Sequence, residues 1–150
     1  FNTNFKIIPP IRSESDCNSL KEGLIDGTID YLTSMHEPYD IDHKKVVFDD
    51  ASPGSIGLES MFGLMCNQFT LEKTIDILTR GKMIFAVDDH SIDIGSKANL
   101  TLFNPDKNYE FSAEHILSSS NNCAFLGNKL KGVVYGSVNG DKFTLNKLWT

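Results

Sequence analysis

The sequence predicts an α/β fold that gives way near residues 88–95 to an all-β segment. Three observations carry this. The first 32 residues place a helical pattern between two short apolar runs, and apolar residues then recur at helical spacing to about residue 87. Beyond about residue 90 the period drops to two and closes on a hairpin signal at Asn139-Gly140.

The opening run, Phe5-Lys6-Ile7-Ile8, reads as a strand ended by Pro9-Pro10, because proline offers no ladder donor and pushes its predecessor out of the helical region. Ser13 with Asp16 three residues later is a capping box with Asp in place of Glu. Cys17, Leu20, Leu24 and Ile25 follow at helical spacing until Gly27 stops the helix. Thr28 to Leu32, bracketed by Gly27 and Pro38, reads as a strand covered on both faces. Strand, helix and strand predict a right-handed βαβ crossover. Catalytic groups gather just past the C-terminal ends of such strands, so Ser34, Met35, His36 and Glu37 are the first candidates for chemistry.

Tyr39 to Gly54 is polar and long for a connection, the mark of a functional loop, and Phe48 to Gly54 carries turn residues. Ile56 to Phe69 predicts a buried helix in which Gly57 and Gly63 permit close approach, its Met and Phe stripe reading as core. Thr70 caps a further helix with Leu71, Ile75 and Leu78 on one face and Gly81 just past its end; Lys82 to Val87 adds a short turn. Ile92, Ile94, Ala98, Leu100 and Leu102 alternate as a strand, and Asn104-Pro105-Asp106 predicts a turn. Ala113 to Leu117 predicts one helical turn, and Ser118 to Asn122 a loop. Lys131 to Val138 and Lys142 to Leu145 predict strands joined at Asn139-Gly140 by a type I′ turn.

With 40% hydrophobic residues and ten Phe the chain can bury a core, which excludes a disordered segment. A net charge of -6, with no basic cluster denser than Lys44-Lys45 or Lys129/Lys131, excludes nucleic acid and anionic membrane as partners. No apolar run approaches the roughly 20 residues needed to span a bilayer, and the start shows no signal-peptide pattern, so a cytoplasmic chain is expected. Phe1 in place of Met is expected of a fragment or a processed chain. Cys17, Cys66 and Cys123, widely spaced and without CxxC, read as reduced thiols rather than disulfides or a zinc knuckle.

The histidines His36, His43, His90 and His115 form no HxH or HExxH pattern. His43, His90 and His115 read as surface or capping residues, whereas His36 at the strand end is a candidate pocket residue. A hydrolytic metal site needs converging His or carboxylate ligands and a carboxylate to move the proton of the attacking water. Met35 supplies neither. Glu37 brings a carboxylate, but alternation along an extended strand aims it differently from residue 35. There is no GxSxG motif, and Gly54-Ser55-Ile56-Gly57 is too short for a phosphate-binding loop, leaving only helix-start N–H groups as an anion site.

Four blocks in order, KIIPPIRSESDCNSLKEGLIDGTIDYLTSMHEPY, FDDASPGSIGLES, SIDIGSKANLTLFNPDKNYEF and FLGNKLKGVVYGSVNG, resemble the C-terminal part of the bacterial dihydroorotases of the amidohydrolase superfamily. The resemblance implies the last β/α units of a TIM-like metal-dependent hydrolase barrel in residues 1–90 and C-terminal strands of a small β-sandwich in residues 91–150. It implies reversible hydrolysis of the cyclic amide of dihydroorotate to carbamoyl aspartate, in pyrimidine biosynthesis, with zinc as the family's cofactor. A complete barrel takes roughly 250 residues, so this chain alone cannot close one. The family's HxH pair, bridging residue and further histidines have no counterpart in it.

The departures are local. Ile8 stands where the family has a substrate-contacting Asn, Met35 where it has the Asp that binds metal and shuttles the proton, and Tyr39 where a His contacts the substrate carboxylate. His36, Pro38, Gly54, Gly57, Leu58 and Glu59 match. Substrate contact is therefore expected of His36, Pro53 and Gly54, while no catalytic or metal-ligating residue, and no zinc, is expected of this chain. The resemblance implies an impaired dihydroorotase-like protein. Its alternatives are an active cyclic amidohydrolase, dihydroorotase or hydantoinase/dihydropyrimidinase-like, in which His36 or Glu37 replaces the missing Asp, and a non-catalytic scaffold subunit for aspartate transcarbamoylase. Open apolar strand edges predict a homo-oligomer.

Overall fold

The computed structural model describes residues 1–10, 12–87 and 91–148. The expectation for His90, and part of the expected boundary at 88–95, lie outside the described residues. Helix α1 (Glu14–Asp26) begins where the capping box predicts: Ser13 Oγ accepts the Asp16 N–H and the Asp16 carboxylate accepts the Ser13 N–H. Gly27, at φ 88°, ends it in the left-handed conformation that only glycine adopts freely. A four-residue α2 (Ile41–Lys44) lies in the long polar connection. Helix α3 (Leu58–Gln68) is followed by α4 (Leu71–Thr79), capped by Thr70 Oγ1 on the Lys73 N–H, and by the short α5 (Gly81–Ile84).

The strands are β1 (Asn99–Glu110), β2 (Lys129–Asn139) and β3 (Lys142–Leu145), an antiparallel sheet in the order β1-β2-β3. One face of β2 lies on α3. Gly63 makes this approach possible, since a Cβ there would stand 3.0 Å from Leu130 Cβ and 3.1 Å from Tyr109 Oη. Two apolar clusters flank α3: Ile56, Phe111, Cys123 and Leu130 on the sheet side, and Leu24, Met65 and Ile77 on the helical side. Fully burying a side chain of this size stabilises by about 1.5–3 kcal/mol, so α3 is the element both halves depend on.

Several expectations are corrected. Residues Thr3–Phe5 form a 3-10 turn instead of a strand, with the Phe5 N–H on Asn2 O and Ile8 exposed. The run at 28–35 carries no strand ladder, bending at 28 and 29 and turning left-handed at Met35; Tyr31 is 41% exposed, because no neighbouring strand covers it among the described residues. The only parallel pairing among the described residues is the isolated bridge His36 to Ser55, with the Glu37 N–H on Ser55 O. On α4 the buried residues are Thr74 and Ile77, and Ile75 faces out; Arg80 Nη2, at the helix end, donates to Leu24 O and Ile29 O at 3.0 and 2.8 Å.

Ile92 and Ile94 are exposed and outside any strand. Asn104-Pro105-Asp106 lies within β1 as an irregularity in its register against β2, not as a turn between elements. The hairpin falls one residue later than predicted. Asn139 pairs with Lys142, the loop is Gly140-Asp141, and only Gly140 has positive φ, at 62°, which is the type II′ pattern. All three cysteines are free thiols, and burial pushes those of Cys66 and Cys123 up. No helix among the described residues is long and apolar enough to cross a membrane.

Candidate functional site

The bridge between His36 and Ser55 brings two loops side by side: Ser34 to Tyr39, leaving the run that begins at Thr28, and Ser52 to Gly57, entering α3. Of the predicted residues, His36, Glu37, Tyr39, Pro53 and Gly54 meet here, while Ile8 and Met35 point away from buried surroundings, 66% and 51% exposed.

His36 serves the start of α3. Its Nδ1 accepts the N–H of Leu58 at 3.2 Å and that of Gly57 at 3.4 Å, two of the donors that a helix start leaves without partners. An acceptor nitrogen carries no proton, so this contact assigns the ring hydrogen to Nε2. Glu59 Oε2 is 3.7 Å from the same Nδ1, and Glu59 Oε1 accepts the N–H groups of Ser118, at 2.8 Å, and Leu117, at 3.3 Å.

Gly54 has φ 146° and its backbone is fully occupied. Its N–H donates to Lys6 O at 2.8 Å; its carbonyl accepts from Lys44 Nζ at 2.8 Å and Asn122 Nδ2 at 3.3 Å. A Cβ there would stand 2.5 Å from the Tyr39 ring and 2.8 Å from Glu37 Oε2, so only glycine lets these two side chains lie across the loop. Lys44 is 6% exposed and spends a second donor on Ser52 O at 2.8 Å. Desolvation lowers its pKa, Lys6 adds to this by repulsion, and Glu37 opposes it.

In the sequence Asn122 is only one residue of a polar loop, yet it closes the site from a distant part of the chain. Its Oδ1 accepts the Tyr39 N–H at 3.1 Å and its Nδ2 donates to Glu37 O at 2.8 Å as well as to Gly54 O. Ser120 Oγ donates to Tyr39 O. The only sequence signal for this was a run of turn-forming residues long enough to reach back.

Zinc, which the resemblance implies, does not fit these donors. Among the described residues no three His, Cys, Asp or Glu side chains converge to hold a metal ion. His36 has one ring nitrogen committed to backbone donors, and the Met35 thioether is not the hard oxygen or nitrogen ligand that zinc hydrolases use. On the other side of His36, Leu58, Phe62, Tyr109, Leu117 and Val134 line an apolar cavity of about 550 Å³ between α3 and the sheet.

No protein-family model matches the chain. It is 36% identical over 141 residues to a dihydroorotase of Caldicellulosiruptor saccharolyticus, covering 89% of this chain and 33% of that protein. It is 35% identical over 140 residues to a dihydroorotase of Endomicrobium trichonymphae, covering 88% and 33%. In structure it superposes on a D-hydantoinase with a TM-score of 0.82 at 19% identity, over 96% of this chain and 34% of that one. On the L-hydantoinase (dihydropyrimidinase) of Arthrobacter aurescens the TM-score is 0.75 at 22% identity, over 95% and 34%. The chain thus spans about a third of the length of the curated relatives it matches. It is a homologue of the dihydroorotases over that third, and its fold is a portion of the amidohydrolase fold of the hydantoinases.

Proposed function

We propose that the chain is part of a dihydroorotase-like protein that has kept the loop architecture of a cyclic amidohydrolase and lost its chemistry. One observation carries this: the position that the resemblance assigns to an Asp is Met35, whose thioether can neither move a proton nor act as a hard-metal ligand. Loss of a general acid/base alone lowers rates by roughly 10²- to 10⁴-fold. In this proposal the residues to about 90 belong to the barrel and those beyond to the sandwich, the protein is cytoplasmic, and its use is association, as a homo-oligomer or with aspartate transcarbamoylase. The test is dihydroorotate hydrolysis by the full-length protein supplied with zinc. The expected rate is that of zinc in buffer. A protein-dependent rate that His36→Ala or Glu37→Gln abolishes would overturn the proposal in favour of a rearranged, active site.

That alternative, a hydantoinase- or dihydropyrimidinase-like hydrolase, is favoured by one feature: the Glu37 carboxylate lies against Gly54, within the loop pair, rather than in solvent. Hydantoin and dihydrouracil belong in the same assay.

A further inference from the structure

We infer that Asn122 is the positioning residue of this loop pair: one carboxamide, delivered by the 118–124 segment, holds the Glu37–Tyr39 loop and the Gly54 loop in register. Asn122 is 4% exposed, and its side-chain oxygen and nitrogen take on three backbone groups from two loops. The neighbouring residues dock the same segment without bridging. Ile56 N–H donates to Asn122 O, Ala124 N–H donates to Ser55 Oγ, and the Ser118 N–H reaches Glu59. Asn122 alone touches both loops through its side chain. A carboxamide is the group this task needs, because it presents an acceptor and a two-proton donor in one plane, and neither Asp nor Leu of similar size does both.

The inference rests on the proposed reading of these loops as the retained site, but its test does not use activity. Amide hydrogen exchange is measured on the full-length protein and two variants. In Asn122→Ala, the Tyr39, Glu37 and Gly54 amides exchange about tenfold faster or more, while the Leu130 and Val133 amides of β2 stay as in the parent. Asn122→Asp keeps the acceptor for Tyr39 and loses both donors to the Glu37 and Gly54 carbonyls, so Tyr39 stays protected while the Glu37 and Gly54 amides, which bond Ser55 O and Lys6 O, quicken as their loops loosen. A split between Tyr39 and the other two amides is what a residue that merely fills space cannot produce. Equal acceleration of loop and β2 amides in both variants, or no change at Tyr39 in Asn122→Ala, overturns it. Activity toward dihydroorotate would overturn the proposed function and leave this result standing.

Discussion

His36 and Glu59 stand 3.7 Å apart, Nδ1 to Oε2, each held by backbone donors of its own. The ring nitrogen takes the N–H groups that open α3, and the carboxylate takes those of Leu117 and Ser118. The pair is thus a junction between helix start and C-terminal segment, and its members answer differently to substitution.

Glu59→Ala leaves two N–H groups without their acceptor and is expected to cost about 1–2 kcal/mol, whereas Glu59→Gln keeps one acceptor and costs under about 0.5 kcal/mol. Urea denaturation with a common slope separates the two. Equal losses would show that charge, not acceptance, is what residue 59 provides.

Met35 has φ 43°, a left-handed conformation in which an unbranched side chain is strained and Asn, Asp or Gly is at ease. Met35→Asp is expected to raise stability by roughly 0.5–1 kcal/mol, read as an increase in Tm, and Met35→Gly to do so as well. A fall in Tm for both would mean that the half-exposed thioether is held by packing that outweighs the backbone.

Gly54→Ala is the sharpest test of the loop geometry. Its new methyl meets the Tyr39 ring and the Glu37 carboxylate at a φ unsuited to alanine, and a loss of about 1–3 kcal/mol is expected. Adding Tyr39→Ala to it should recover part of the loss, a coupling that a double-mutant cycle measures directly.

Lys44 contributes a pH dependence of definite sign. Burial lowers its folded-state pKa, so across the window from that value up to the ordinary lysine pKa, about 10.4, the unfolded chain binds more protons than the folded one. Its contribution to stability therefore grows as pH rises through the window and is lost as pH falls through the folded-state pKa. Lys44→Met should flatten this slope in the window just below the ordinary lysine pKa while leaving the Ser52 and Gly54 carbonyls short of a donor. Chemical denaturation at four pH values across the range reads both effects.

The helices were legible because their signals are local. Ser13 with Asp16, Thr70, and Gly27 each act within four residues, and each sits where the pattern places it. The strands were clearest where a partner is near: β2 and β3 formed, displaced by one residue at the turn because Gly140, not Asn139, takes the first loop position, while β1 formed at Leu100 and Leu102 but not at Ile92 and Ile94. Thr28 to Leu32 has the composition of a doubly covered strand, yet strand identity is a property of neighbours, and no strand flanks it among the described residues. Within the site, His36 stands out in the sequence by its position, but its service to α3 is hidden there, since the N–H groups it accepts lie more than twenty residues away. Asn122 was hidden for the same reason. Nothing within its own neighbourhood distinguishes a loop asparagine in solvent from one buried against two distant loops.

The bonds from Asn122 to Tyr39 and Glu37 span 83 and 85 positions. On a ribosome adding roughly 5–20 residues per second, the earlier loop emerges several seconds before the carboxamide that arranges it. Closing so long an intervening segment is also entropically slow. Throughout that interval the Gly54 loop has Lys6 and Lys44 available but not its third partner, and the Glu37–Tyr39 backbone waits longer still. Chaperone recognition sites and co-translational proteolysis should concentrate there, at residues 35–54, even though in the finished protein the same backbone is among the most fully bonded.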